Sequence, residues 1–423
     1  MQPATHFTDV CILGAGPGGS AAALHLANRG IASVLLDKAT FPRDKVCGDA
    51  LSGKVVNELR RIDPRLVERL AALPTGLPSR GIHFFAPNLS RVSVPFKYPY
   101  DQATDQPPGY LVRRVDFDHF LVEEARQRPE IDFREGIEVN DFRREGGRIT
   151  LVGPAGMPLL STRLLIVANG AQSAFTRHHA GIRMEPEHHC AGLRAYYRGV
   201  KGLDADGFIE LHFFRNFLPG YFWIFPLSGV PSDGGGGYAN VGVGMLSESI
   251  RRQKINLKKA MLDTIAAHPR LRDRFAHAER LGDIRGYGLP LGSKQRPLSG
   301  DGFLLVGDAA SLVDPFTGEG ISNAMISGRW AATTAEQALR TQNFSASFLR
   351  TYDGAVYNRL GKELALSRRM QQLLRYPGLF NVVANRAARN PVLAETLSCM
   401  FLDLDLRQRL RQPSFYLKLL FNR

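Results

Sequence analysis

One stretch near the start, "TDVCILGAGPGGSAAALHLANRGIASVLLDK", limits what this chain can fold into more than any other. Asp9 to Leu13 is a short apolar strand, and an alanine-rich helix is expected from Ser20 to Arg29. Between them Gly14, Gly16 and Gly19 fill a G-x-G-x-x-G spacing, with Pro17 inside it. Glycines there allow a tight turn, a close approach of backbone to a pyrophosphate, and close helix–strand packing. The helix N-terminus then presents free N–H groups and a positive dipole end to phosphate. A second strand, "ASVLLDK", ends in Asp37 and Lys38, where a carboxylate can accept from a ribose hydroxyl. The pattern predicts a bound dinucleotide and leaves NAD and FAD both open.

At 423 residues the chain is too long for one ordinary core, so two or three packed units are expected. A formal charge of +14 favours acidic partners such as anionic headgroups or phosphorylated substrates. No nucleic-acid reader motif accompanies the charge, so nucleic acid is not an expected partner. Cys11, Cys47, Cys190 and Cys399 are scattered without a CxxC pair, which argues against a disulfide framework or a cysteine zinc site. "MQPATHFTDVCIL" shows no secretory pattern, and no apolar run reaches the roughly 18 residues of a membrane span. A cytoplasmic protein is expected.

A second signature selects the cofactor. In "DGFLLVGDAASLVDPFTGEGISNAMISGRWAATTAEQAL" a strand from Phe303 to Val306 runs into Gly307 and Asp308. A loop carrying Pro315 follows, and Gly318, Gly320 and Ile321 open a long small-residue helix. A nicotinamide dehydrogenase has no use for this distant segment, whereas the ribityl chain and isoalloxazine of FAD extend that far. Asp308 is expected to hold a ribityl hydroxyl, and the N–H groups from Gly318 to Ile321 to face the flavin edge where negative charge collects on reduction. The plainer alternative is a helix cap after a strand.

With both segments in place, the chain resembles FAD-dependent oxidoreductases of the p-hydroxybenzoate hydroxylase type, and more narrowly the geranylgeranyl reductase family. "YLVRRVDFDHFL" resembles the family's V-x-R-x-x-F-D-x-x-L element, which implies that Arg114 reaches the cofactor and that Phe117 and Asp118 set the helix. "LLIVANGAQSAFTR" resembles its A-D-G-x-x-S-x-x-R element at Gly170, Ser173 and Arg177, with Asn169 in place of the usual aspartate. For both arginines the ordinary surface role is the alternative. "FPRDKVCG" resembles the reductases' P-x-x-K-x-C-G loop at Pro42, Lys45, Cys47 and Gly48, which implies that these residues line the flavin pocket. Cys47 is then a candidate proton donor, although most free cysteines are small buried hydrophobes.

"YFWIFP" matches the reductases' Y-x-W-x-F-P at Tyr221, Trp223, Phe225 and Pro226, and matches the halogenases' W-x-W-x-I-P only at Trp223 and Pro226. Alternation on a strand sends Tyr221, Trp223 and Phe225 to one face. Such a face is either ordinary core or a wall for a prenyl chain or an aromatic ring. The resemblance implies hydride transfer from flavin N5 to a carbon–carbon double bond, with Cys47 and Tyr221 as candidate acids. NAD(P)H or a protein electron donor would reduce the flavin. An NAD(P)H-dependent aromatic hydroxylase, a halogenase and a non-catalytic flavin-binding module are the rival readings.

The expected fold is α/β: a Rossmann-like FAD-binding domain over 1–73, 111–182 and 281–345, with an α+β, antiparallel-sheet substrate domain over 74–110 and 183–280. A helical region over 346–423 completes it. "PSDGGGGY" reads as a hairpin tip or a lid. "RHHAGIRMEPEHHC" gathers four histidines, but not at metal-protease spacing, so no metal is expected. The tail is basic, and "PSFYLKLLFNR" allows either a solvated helix face or contact with a membrane surface through Phe415, Leu417 and Phe421. A lipophilic substrate would suit an enzyme peripheral at the inner face of the membrane.

Overall fold

The computed structural model describes residues 6–96, 106–228 and 236–387. Residues 231–235 of the expected tip "PSDGGGGY" (231–238), Cys399 and the tail residues Phe415, Leu417 and Phe421 lie outside them, while Gly237 and Tyr238 already belong to a strand. The chain divides into two compact units, each assembled from three segments. Among the described residues the first holds 6–45, 114–188 and 289–365, and the second holds the remainder.

The first unit is built on a parallel sheet. Its strands run in the order Ile131–Arg134, Ser33–Leu36, His6–Leu13, Pro158–Val167 and Phe303–Leu305, with Ser299–Gly300 antiparallel at the far edge. A hairpin, Asp141–Glu145 and Arg148–Val152, pairs antiparallel with the N-terminal half of Pro158–Val167. Strands buried on both faces read as continuous apolar runs, as "VCIL" and "LLIV" do. The chain leaves His6–Leu13 toward one side of the sheet and later returns on the other. The C-terminal ends of His6–Leu13 and Pro158–Val167 are therefore a topological switch point, the usual place for a ligand crevice in such sheets.

Over this sheet the helix Pro17–Ala27 is buried along its whole length, which is why it is made of glycine and alanine and has little polar face. It begins three residues before the expected Ser20, because Pro17 takes the first helical position, where its missing N–H has no partner to lose. The long helix Ile321–Thr341 crosses it where Gly328 meets Gly18: a Cβ on Gly328 would lie 2.3 Å from the Gly18 carbonyl oxygen.

The second unit carries a seven-stranded sheet. The order is Glu279–Pro290, His189–Val200, Gly237–Leu246, Tyr221–Pro226, Ile209–His212, Gly81–Phe85 and Arg91–Pro95. The expectation of an antiparallel sheet needs one correction. Ile209–His212 and Gly81–Phe85 pair in parallel, because they come from different chain segments and no hairpin fixes their direction. Phe222 and Ile224 point into a core with Val241, Val243, Met245, Leu257, Met261 and Leu271. Side chains of this size contribute about 1.5–3 kcal/mol each on burial. A small sheet of Ala50–Leu51, Gly109–Leu111 and Leu77–Ser79 belongs to this unit too.

The units are thus drawn along other lines than the sequence suggested. Residues 46–73 pack with the second unit, because Ala50–Leu51 pairs with Gly109–Leu111. The end of the described chain does too, since Phe380 of the helix Pro377–Ala387 packs on Phe213. Among the described residues no helix is long and apolar enough to cross a membrane.

Candidate functional site

At the switch point the glycine loop is over-determined by close contacts. Gly14 has φ +104°, and a Cβ there would stand 2.6 Å from the Ala168 carbonyl oxygen. A Cβ on Gly19 would fall 1.8 Å from the Gly14 carbonyl oxygen. Gly16 caps the helix with no side-chain bond to its first N–H groups, which leaves the helix N-terminus without a side-chain anion of its own. Asp37 ends the second strand and ties the loop. Its Oδ2 accepts from the Ala15 N–H and its Oδ1 from the Ala39 N–H, both at 2.8 Å. A carboxylate keeps further lone pairs after two such bonds, so a ribose hydroxyl can still be accepted. Lys38 is exposed.

The second signature lies in the same unit. Gly307 has φ +63°, and its N–H donates to the Ser327 hydroxyl at 3.1 Å. The loop through Pro315 is shaped by Asp314, whose Oδ1 accepts from the N–H groups of Phe316 (2.9 Å) and Thr317 (2.8 Å). Gly318 is again left-handed at φ +72°. Gly320 caps the Ile321–Thr341 helix without a side-chain bond, and a Cβ on it would lie 3.2 Å from Asp308 Oδ1. In the first turn of that helix the buried Ser322 hydroxyl has no hydrogen-bond partner. An uncapped helix start, a carboxylate beside it and an orphaned buried hydroxyl suit a ligand with polar edges. The residues present fit FAD at both signatures.

Gly170 has φ +83°, and the Ser173 hydroxyl caps the next helix by accepting from the Thr176 N–H at 3.1 Å. The arginine of the family element needs correction. Counted from Ser173, its spacing falls on Thr176, whose hydroxyl donates to the Ala309 carbonyl at 3.0 Å, while Arg177 is one step further on and exposed.

Arg114 is buried and pairs with Asp118. Its Nε and Nη2 donate to the two carboxylate oxygens at 2.7 Å each. Sequence reasoning missed the third member of this cluster, Arg43, whose Nη1 stands 2.8 Å from Asp118 Oδ2 as an ion pair without hydrogen-bond geometry. Its Nη2 is 3.7 Å from the point where a Gly16 side chain would begin, so a guanidinium overlooks the phosphate turn. The sequence carries the signal as an arginine inside "FPRDK", at a position the family's P-x-x-K-x-C-G spacing leaves unspecified. Burial pushes the Asp118 carboxyl up. Arg114, by charge and hydrogen bond, outweighs that together with Arg43 and Lys45, and holds it below the usual carboxylate value.

In the second unit the "YFWIFP" strand divides by face. Phe222 and Ile224 are core; Tyr221, Trp223 and Phe225 take the opposite face. In register they stand across from Gly244, Gly242 and Asn240 of the neighbouring strand. The indole lies over Gly242 of that strand, since a Cβ there would come within 2.1 Å of it. Tyr221 meets Phe213 edge-on at 5.9 Å and Trp223 at 6.2 Å. Phe225 lies against Gly48, whose Cβ would be 2.7 Å from the ring, and Pro226 ends the strand. Cys47 is half-buried, whereas burial pushes the thiol of Cys190 up to about 12 and that of Cys11 higher still. The histidine-rich segment is engaged elsewhere: His179 packs on Phe142 and Phe175, His188 pairs with Ser293 and His189 with Ser247.

Comparison with known proteins identifies the family. Residues 7–201 match the model of an FAD binding domain. A menaquinone reductase of Mycobacterium tuberculosis is 30% identical over 87% of this chain and 84% of its own. A digeranylgeranylglycerophospholipid reductase of Methanopyrus kandleri is 31% identical over 81% and 84%. Among solved structures, a geranylgeranyl bacteriochlorophyll reductase-like protein of Thermoplasma acidophilum superposes with a TM-score of 0.75 at 22% identity, covering 93% of this chain and 96% of that one.

Proposed function

Because the chain belongs to the geranylgeranyl reductase family of FAD-dependent oxidoreductases, we propose that it reduces carbon–carbon double bonds in the prenyl chain of a lipid or quinone. Bound FAD, once reduced by NAD(P)H or a protein donor, supplies the hydride that adds to one alkene carbon. The chain's own residues must hold the dinucleotide, seat an apolar substrate and deliver a proton to the other carbon.

Gly14, Gly16, Pro17 and Gly19, with Asp37, hold the dinucleotide end; Arg43 neutralises phosphate; Gly307, Asp308 and the turn from Gly318 to Ile321 hold the flavin end. Lys38, Lys45, Arg114, Gly170 and Pro315 complete the proposed cofactor set on the first unit. Tyr221, Trp223, Phe225 and Pro226 form the substrate wall. The observation that carries the reading is that face: three aromatic rings turned away from a core that Phe222 and Ile224 already fill. Cys47 and Tyr221 are the acids within this set, and one of them protonates the second carbon.

A substrate of this kind lives in a bilayer, and the described end of the chain supports a peripheral contact. On the helix Pro377–Ala387 and the residue before it, Tyr376, Leu379 and Val382 are 65%, 54% and 50% exposed, with Arg386 at the far end and Arg375, paired with Glu248, at the near one. Apolar side chains beside cations suit an anionic lipid surface.

The test is anaerobic turnover of the reduced holoenzyme on membrane lipid extracts, read by mass spectrometry. Products two mass units heavier per bond support the reading. Oxygen-dependent products sixteen units heavier would replace it with hydroxylation, and no product in either arm would leave a flavin-binding module.

A further inference from the structure

Asn240 is fully buried on a strand face that otherwise carries glycine at 242 and 244, a place where an apolar side chain would need no partners. Its amide makes three bonds. Oδ1 accepts from the Trp223 indole N–H at 2.9 Å, and Nδ2 donates to the Cys47 main-chain carbonyl at 2.7 Å and to Asp49 Oδ2 at 2.7 Å. The orientation of the amide is fixed by its partners: an indole only donates, and a main-chain carbonyl only accepts. The same Asp49 oxygen accepts from the Tyr196 hydroxyl at 2.8 Å. Asp49 is itself fully buried and held left-handed at φ +68°, with its carbonyl accepting from the Val112 N–H at 2.9 Å.

The loop Cys47–Asp49 is therefore gripped from the aromatic strand at two points. Phe225 presses on Gly48, and Trp223 reaches Cys47 and Asp49 through a single amide. The indole is seated by contact with Gly242, so it cannot tilt without disturbing its bond to Asn240. We infer that Asn240 is a positioning residue that couples Trp223 to the Cys47 loop, so that the aromatic face sets where the Cys47 thiol stands. This rests on the reading of that face as the substrate wall.

The test is the rate at which iodoacetamide alkylates Cys47 in the holoenzyme, followed by peptide mass mapping, with buried Cys190 as the internal measure of folding. Trp223→Phe keeps an aromatic ring but removes the N–H together with part of the indole, and Asn240→Leu removes the amide. Each is expected to speed Cys47 alkylation at least fivefold with Cys190 still protected, and the double variant to go no further than the larger single effect. Tyr221→Phe, outside the tie, is expected to stay within twofold of wild type. Turnover of Asn240→Leu, which leaves the aromatic wall itself intact, is expected to fall in kcat with KM held within twofold, as for a displaced group and not a lost substrate contact. Cys47 rates within twofold of wild type in both Trp223→Phe and Asn240→Leu would overturn the coupling. Should Asn240→Leu lose its flavin, Trp223→Phe alone decides. An altered Cys47 rate without any prenyl product would uphold the tie and refute the proposed reaction.

Discussion

Asp118 is the most exacting place to test the first unit. Its carboxylate is fully buried, takes two 2.7 Å bonds from an Arg114 side chain that is 7% exposed, and has Arg43 at 2.8 Å. Asp118→Asn preserves shape but turns one acceptor into an N–H facing a guanidinium, leaving a buried cation without its counter-charge. Removing one partner of a buried pair costs about 3–5 kcal/mol. For a unit of 150–250 residues that is a fall of roughly 6–20 °C in the unfolding midpoint, at about 2–4 °C per kcal/mol. The assay is thermal unfolding at neutral pH, with and without excess FAD. The double variant Arg114→Met/Asp118→Leu, which removes both charges, should recover much of the loss, since apolar replacements of buried pairs are often neutral. The pH dependence has a definite sign. The folded carboxyl lies below its ordinary value of about 3.9, so its stabilisation is present above that pH and is lost as pH falls through the folded value. A midpoint shift under about 3 °C for Asp118→Asn would refute the reasoning that this buried pair contributes several kcal/mol to the unit.

Other outcomes follow from the same geometry. Gly19→Ala should yield protein without visible flavin absorbance, because the new methyl would sit 1.8 Å from the Gly14 carbonyl oxygen. In the second unit, burial pushes His212 down; the 2.8 Å bond to Glu210 only partly offsets this, so the folded ring stays neutral below its ordinary value. An unfolded histidine binds its proton below about pH 6.5, so this stabilisation is present above that pH and lost below it. His212→Gln should flatten the stability profile between about pH 6.5 and 5, measured by urea unfolding. Tyr376→Ser with Leu379→Ser and Val382→Ser should cut binding to anionic vesicles at least tenfold in a sedimentation assay, with flavin content unchanged.

How much of this was legible beforehand varies with the range of the interactions. The glycine loop declared itself because its requirements are local: tight turn, helix start and Asp37 fall within one βαβ unit. The aromatic strand was legible as alternation, and its two faces separate as period two demands. Asn240 was not, because its partners Cys47 and Asp49 lie almost two hundred residues away and no spacing announces them. A trace existed in "ANVGVGM", where one face of a buried strand reads Asn-Gly-Gly opposite three bulky aromatics. The parallel pair Ile209–His212 with Gly81–Phe85 left no trace, since strand direction across two chain segments is a tertiary outcome.

The crossing of Gly18 by Gly328 also bears on how the protein is born. The two glycines are 310 residues apart (328 − 18), and until the second leaves the ribosome the first helix has no partner on that side. At roughly 5–20 residues per second that is a wait of about 15–60 s, during which a glycine- and alanine-rich segment stands uncovered. Flavin capture should therefore wait for the helix that carries Gly328, and nascent chains truncated before it should emerge colourless.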